Sequence, residues 1–127
     1  MLSPEQHGRV VALAQDFARE GRTEDLADFL DHGVPVDLLD GDGNSLLMLA
    51  AYSGQEATVA MLLERGADAN RRNSRDQSPV AGAIFKGEDA IVALLLAAGA
   101  DLDAGTPTAR QAAHLFGRGH LLPDQAV

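Results

Sequence analysis

Cysteine is absent from this chain of 127 residues, which excludes disulfides and thiolate metal sites. Aromatic side chains number only five (Phe17, Phe29, Tyr52, Phe85, Phe116), and valine and isoleucine together only ten, too few for a large β-sheet. Positive charge is also scarce. Ten Lys and Arg stand against 19 Asp and Glu, a formal charge of −9 that repels phosphate backbones and argues against nucleic acid as a partner. The imbalance lies at the front, where Glu5, Asp16, Glu20, Glu24, Asp25, Asp28, Asp31, Asp37 and Asp40 face only Arg9, Arg19 and Arg22. No apolar run approaches the length of a membrane span, and charges interrupt the first twenty residues where a secretory signal would be continuous. The expectation is a cytoplasmic protein with no membrane partner.

What the chain does have is abundant alanine and leucine, strong helix formers with enough small side chains for helices to approach closely. At 46% apolar the length suffices for one core and one domain, expected to be mostly helical. The apolar residues follow a repeat. Gly21, Gly54 and Gly87 fall 33 apart, as do Gly33, Gly66 and Gly99. A fixed period in this range marks one supersecondary unit stacked on copies of itself, an architecture that builds binding surfaces rather than pockets for chemistry.

The clearest unit runs from Asp40 to Asn73. Ser45 caps a helix whose inward residues are Leu46, Leu47, Leu49, Ala50 and Ala51, and Gly54 ends it by turning the chain back. A second helix over Gln55 to Arg65 carries Val59, Met61, Leu62 and Leu63 as its apolar stripe, and Gly66 closes it. A polar loop from Arg71 to Gln77 then projects. The next unit repeats this grammar with Ser78 and Pro79 at the start, Val80, Ala83 and Ile84 inward, Gly87 at the turn, and Ile91, Val92, Leu94, Leu95 and Leu96 in the second stripe.

These motifs, Asp40-x-x-Gly43-x-Ser45-x-Leu47-Met48-x-Ala50-Ala51-x-x-Gly54 and Leu62-Leu63-x-x-Gly66-Ala67-Asp68, resemble the ankyrin repeat. Ser78-Pro79-Val80-Ala81 and Leu95-Leu96-x-x-Gly99-Ala100-Asp101 continue the resemblance in register. It implies an all-α solenoid of stacked antiparallel helix pairs with projecting hairpin loops. The histidine that the family places after Thr-Pro-Leu is replaced by Met48, Ala81 and Gln111. In the family it ties one repeat's backbone to the next, so its absence bears on coupling between repeats rather than on the fold. Terminal units depart from the pattern, as stack ends should. Ser3-Pro4-Glu5-Gln6 reads as a cap, a first-turn proline and a capping-box glutamine before the stripe Val10, Leu13, Ala14 and Phe17. Thr108 to Ala113 match a first helix if three loop residues are missing, and Gly119 and Pro123 leave little room for a second. The single domain over 1–127 thus divides into an N-terminal capping repeat (1–39), repeats over 40–72 and 73–104, a truncated C-terminal cap (105–120) and a frayed tail (121–127).

Motifs for chemistry do not survive scrutiny. Asp40-Gly41-Asp42-Gly43-Asn44 begins like a calcium loop, but Ser45 and Ala51 stand where glycine and glutamate are required, and a glycine-rich hairpin tip explains the same residues. His114, His120 and Asp124 straddle Gly117, Gly119 and Pro123, so no helix face sets their spacing, and His32 reads as a cation at a helix C-terminus. Ser45 and Ser78 act as caps, and no Gly-x-Ser-x-Gly or phosphate-binding loop occurs. No catalytic, cofactor-binding or metal-ligating residue is assigned, and the chain does not read as an enzyme.

The candidate contacts lie elsewhere. Two residues before each turn glycine stand Arg19, Tyr52, Phe85 and Leu115, a column that the resemblance places on the concave face with the loop tips. Tyr, Phe and Arg are residue types typical of interfaces; the bland alternative has Tyr52 and Phe85 covering neighbouring stems. Ser53 and Lys86 would rim that surface. The basic cluster Arg71-Arg72-x-x-Arg75 faces a loop carrying Asp37, Asp40 and Asp42, either as mutual attraction between loops or as a bipolar docking edge. The expected partner-binding set is Arg19, Asp40, Asp42, Asn44, Tyr52, Ser53, Arg72, Arg75, Gln77, Phe85 and Lys86. The function it implies is stoichiometric binding or scaffolding of another protein by a monomer, without a cofactor. The alternative is an acidic inhibitor whose carboxylates mask a basic toxin or enzyme.

Overall fold

The computed structural model describes residues 3–122. Seven α-helices follow one another in pairs: α1 (Pro4–Glu20) with α2 (Thr23–Asp31), α3 (Leu46–Tyr52) with α4 (Glu56–Glu64), and α5 (Pro79–Lys86) with α6 (Asp89–Ala97). The seventh, α7 (Ala109–Leu115), is followed only by a 3-10 turn, Gly119–Leu121. The first helices of the pairs stack on one another as α1, α3, α5 and α7, and the second helices stack behind them as α2, α4 and α6. This is the two-layer solenoid that the spacing of the glycines implies.

A side-chain cap sets the start of each first helix, α1, α3, α5 and α7. The Met48 N–H donates to the Ser45 hydroxyl at 3.0 Å, and the Ala81 N–H to the Ser78 hydroxyl at 3.2 Å. Ser3 with Gln6, and Thr108 with Gln111, form reciprocal capping boxes. The step from the Ser78 cap to the Thr108 cap is shorter by three than the step from Ser45 to Ser78, so α7 begins early relative to the repeat. The α1 helix starts about two and a half turns earlier than its counterparts, at Pro4 where the repeat register places Leu13. Its residues Pro4–Val11 stand where later units carry a hairpin, and they flank an apolar cavity of about 470 Å³ lined by Val10, Val11, Phe29, Val34 and Leu38.

The core lies between the layers. Leu46 to Ala51 and Pro79 to Ile84 are buried, while the outer helices contribute one face each: Leu26, then Thr58, Val59 and Leu62, then Ile91, Val92 and Leu95. Units also lock at their turns. Gly54 has φ 73°, and a Cβ there would lie 2.8 Å from the Glu88 carboxylate. Gly21 receives Gln55 in the same way, with the Gln55 amide donating to the Arg19 carbonyl at 2.9 Å. At the far end Leu121 and Leu122, expected as the start of a frayed tail, pack against the core, where the 3-10 turn meets α6 and α7. The rest of that expected tail, 123–127, lies outside the described residues. No described helix is long and apolar enough to cross a membrane.

Candidate functional site

The loops form a hydrogen-bonded row. Asp40 closes its own hairpin: its carboxylate accepts from the Asp42 and Asn44 N–H groups, both at 2.9 Å, and from Asn44 Nδ2 at 3.1 Å. Burial opposes the charged form of Asp40, but these donors and the Arg19 guanidinium outweigh it and hold the carboxyl below its ordinary range. Asn73, the counterpart of Asp40 one repeat later, does the same for the next loop, accepting from the Arg75 and Gln77 N–H groups at 3.0 Å. Its Nδ2 also donates to Asn44 Oδ1 at 2.8 Å, and the Ser74 N–H donates to the Asp42 carbonyl at 2.9 Å. A third tie runs onward, from the Thr106 N–H to the Asp76 carbonyl (2.7 Å) and from the Thr106 hydroxyl to the Asp76 carboxylate (2.8 Å). Asp76 adopts φ 59° where the preceding loop has Gly43, a conformation that aspartate tolerates better than most residues. No ion pair joins the acidic loop to the basic one among the described residues; Arg72 pairs within its own loop, with Asp76 at 3.0 Å.

Between this row and the inner helices run two adjoining grooves. The first, about 360 Å³, is polar and is lined by Arg19, Asp42, Asn44, Tyr52, Ser53, Arg75 and Gln77, with Met48, Leu49 and Asn73. The second, about 400 Å³, is apolar and is lined by Phe85, Leu115, Phe116, Pro107 and Ala112, with Gly82 and Ala81. Tyr52 and Gln77 belong to both and so form the partition. The structure therefore brings seven of the expected residues to the polar groove and Phe85 to the apolar one. Asp40, Arg72 and Lys86 line neither groove.

Tyr52 is placed by a close approach. A Cβ on Gly82 would lie 2.7 Å from the Tyr52 ring, so the ring rests on bare α5 backbone and is half-buried. Burial raises its phenol above the ordinary pKa, and the charge of Arg75 pulls partly the other way. Phe85 is 60% exposed and packs edge-on against Phe116, with ring centroids 5.3 Å apart. Leu115 is 69% and Phe116 46% exposed, so a contiguous apolar patch stands open at the C-terminal end of the column. Sequence reasoning missed Asn73, Gly82 and Phe116. The first two carry a signal in hindsight, Asn73 by standing one full repeat after Asp40 and Gly82 by being a glycine inside a helix.

A family model of ankyrin repeats, in three copies, matches residues 15–106. The chain belongs to the ankyrin-repeat family. Over 46 residues it is also 45% identical to a putative ankyrin repeat protein of Pseudomonas aeruginosa, a stretch covering 36% of this chain and 27% of that relative. In this ankyrin-repeat chain no group of His, Asp and Glu among the described residues is arranged to hold a metal ion. His32 caps α2, its Nδ1 lying 2.7 Å from the Asp28 carbonyl, which with the Asp28 charge raises its pKa. Asp124, the third member of the C-terminal trio, lies outside the described residues.

Proposed function

We propose that this ankyrin-repeat protein binds another protein stoichiometrically through its concave face and loop tips, masking or scaffolding it. The observation that carries this reading is the pair of adjoining grooves partitioned by Tyr52, with Phe85, Leu115 and Phe116 left open beside them. A row of loops fastened to one another supports it, since a platform that is already ordered loses little entropy on binding. The acidic-mask alternative is weakened by how the front acids are used. Asp16, Asp25 and Asp31 pair with Arg19, Arg22 and Arg65, Asp28 faces His32, Asp37 accepts from the Asp68 N–H, and Asp40 closes its loop.

The test is a pull-down from the source organism's lysate at low and high salt, comparing the wild type with a Tyr52→Ala/Phe85→Ala variant whose circular dichroism matches it. A partner lost by the variant at both salts supports the groove. One that binds both proteins equally at low salt and leaves both at high salt transfers the function to the acidic surface.

A further inference from the structure

We infer that the segment seated in these grooves carries a carboxylate next to an apolar anchor, the carboxylate meeting Arg75 and the anchor meeting Phe85, Leu115 and Phe116. The inference rests on the concave-face reading above and adds the chemistry of the occupant.

Charge pairing is the first argument. Six of the arginines hold carboxylates of their own chain: Arg19 with Asp16, Arg22 with Asp25, Arg65 with Asp31, Arg72 with Asp76, Arg110 with Asp103 and Arg118 with Asp89. Arg75, which lines the polar groove, forms no ion pair among the described residues, and neither does Lys86, which follows Phe85 and is exposed. Of the four cations without an ion pair among the described residues, Arg9, Arg71, Arg75 and Lys86, two therefore stand at the grooves or beside Phe85. Asp42 lines the same groove as Arg75 without pairing with it. The charged side chains that line the polar groove are thus Arg19, Arg75 and Asp42, with Lys86 nearby, so cations outnumber acids there although the molecule as a whole is negative.

The inventory of hydrogen-bonding groups agrees. Around Tyr52 the polar groove offers the Arg75 guanidinium, the Tyr52 and Ser53 hydroxyls and the Gln77 amide nitrogen as donors. Two of its acceptors are already occupied, since Asn44 Oδ1 and Gln77 Oε1 both take the Asn73 amide. A donor-rich groove with a free guanidinium fits a carboxylate, which is acceptor-only and meets arginine in a two-pronged geometry. Because one ring separates this groove from the apolar one, the acid and the anchor stand close along the bound segment. They are roughly two to four residues apart at about 3.3 Å per extended residue.

A phage-displayed library of random peptides, selected on the immobilised full chain, supplies the probe. The best peptide, made synthetically with a fluorescent label, is titrated by anisotropy into wild type, Arg75→Glu, Phe85→Ala and Arg71→Glu. Arg71 is exposed and outside both grooves, so its variant controls for net charge. We expect selected peptides to join Leu, Phe or Trp with Asp or Glu at that spacing. Arg75→Glu should weaken binding by roughly tenfold or more while Arg71→Glu leaves it nearly unchanged. Peptides rich in Lys and Arg, no enrichment at all, or binding indifferent to Arg75→Glu would overturn the inference. If Phe85→Ala abolishes binding while Arg75→Glu does not, the groove stands and only the carboxylate is lost. If neither variant matters, the concave-face reading falls too.

Discussion

Tyr52 rests on the backbone of Gly82 on one side and borders two grooves on the other, so its ring is half structural support and half contact surface. Its phenol is held up by burial and drawn down by Arg75, which makes the pair directly measurable. The chain has one tyrosine and no tryptophan, so tyrosinate absorbance reports this residue alone. Arg75→Ala removes the charge that favours the tyrosinate, and the alkaline transition should move to higher pH than in wild type. An unmoved transition would mean that Arg75 does not face the ring in solution. Asp40 gives a second prediction with the opposite sign. Its folded-state pKa lies below the ordinary 3.8, so its contribution to stability is fully present above that value and is lost as pH falls through the lower folded value. Asp40→Ala should therefore be less stable than wild type at neutral pH in urea unfolding, with the gap closing only below about pH 4. A gap that closes near pH 6 would assign the effect to another group.

At the scale of elements, how much was legible depends on how local the signal is. The caps Ser3, Ser45 and Ser78 were readable because a cap satisfies an N–H three residues away, within its own segment. The early start of α7 was readable from the repeat register, which Thr108 to Ala113 meet only with three loop residues missing. The inter-loop ties were not. Asn44 meeting Asn73, or Thr106 meeting Asp76, requires knowing how the loops of successive units align side by side, and many polar pairs could satisfy the same spacing. The column Arg19, Tyr52, Phe85 and Leu115 followed from the repeat period, each standing two residues before a turn glycine, and its placement from the ankyrin resemblance, whereas Phe116 depends on α7 stopping at Leu115 and turning it beside Phe85. Leu121 and Leu122 were read as fraying because Gly119 and Pro123 flank them. Their packing against the core comes from the 3-10 turn meeting α6 and α7, a long-range contact that no local signal reveals.

For the whole molecule, stability is a sum over neighbouring units, and few units are present. Leu62 and Leu95 are wholly buried at equivalent places in α4 and α6. Leu62→Ala and Leu95→Ala should each lower the unfolding free energy by about 2–5 kcal/mol, read by circular dichroism in urea. A loss under about 1 kcal/mol in either would contradict the burial. The turn lock described above has a different kind of consequence. Gly21 accepts Gln55, and Gly54 accepts Glu88, so the joint between units is written the same way twice. A gene that duplicates the codons for residues 55–87 in tandem would place a new Gln55 against Gly54 and leave Glu88 against Gly87. At the turns, each new seam would again be a glycine receiving Gln55 or Glu88, so this joint is one that survives a change in the number of units.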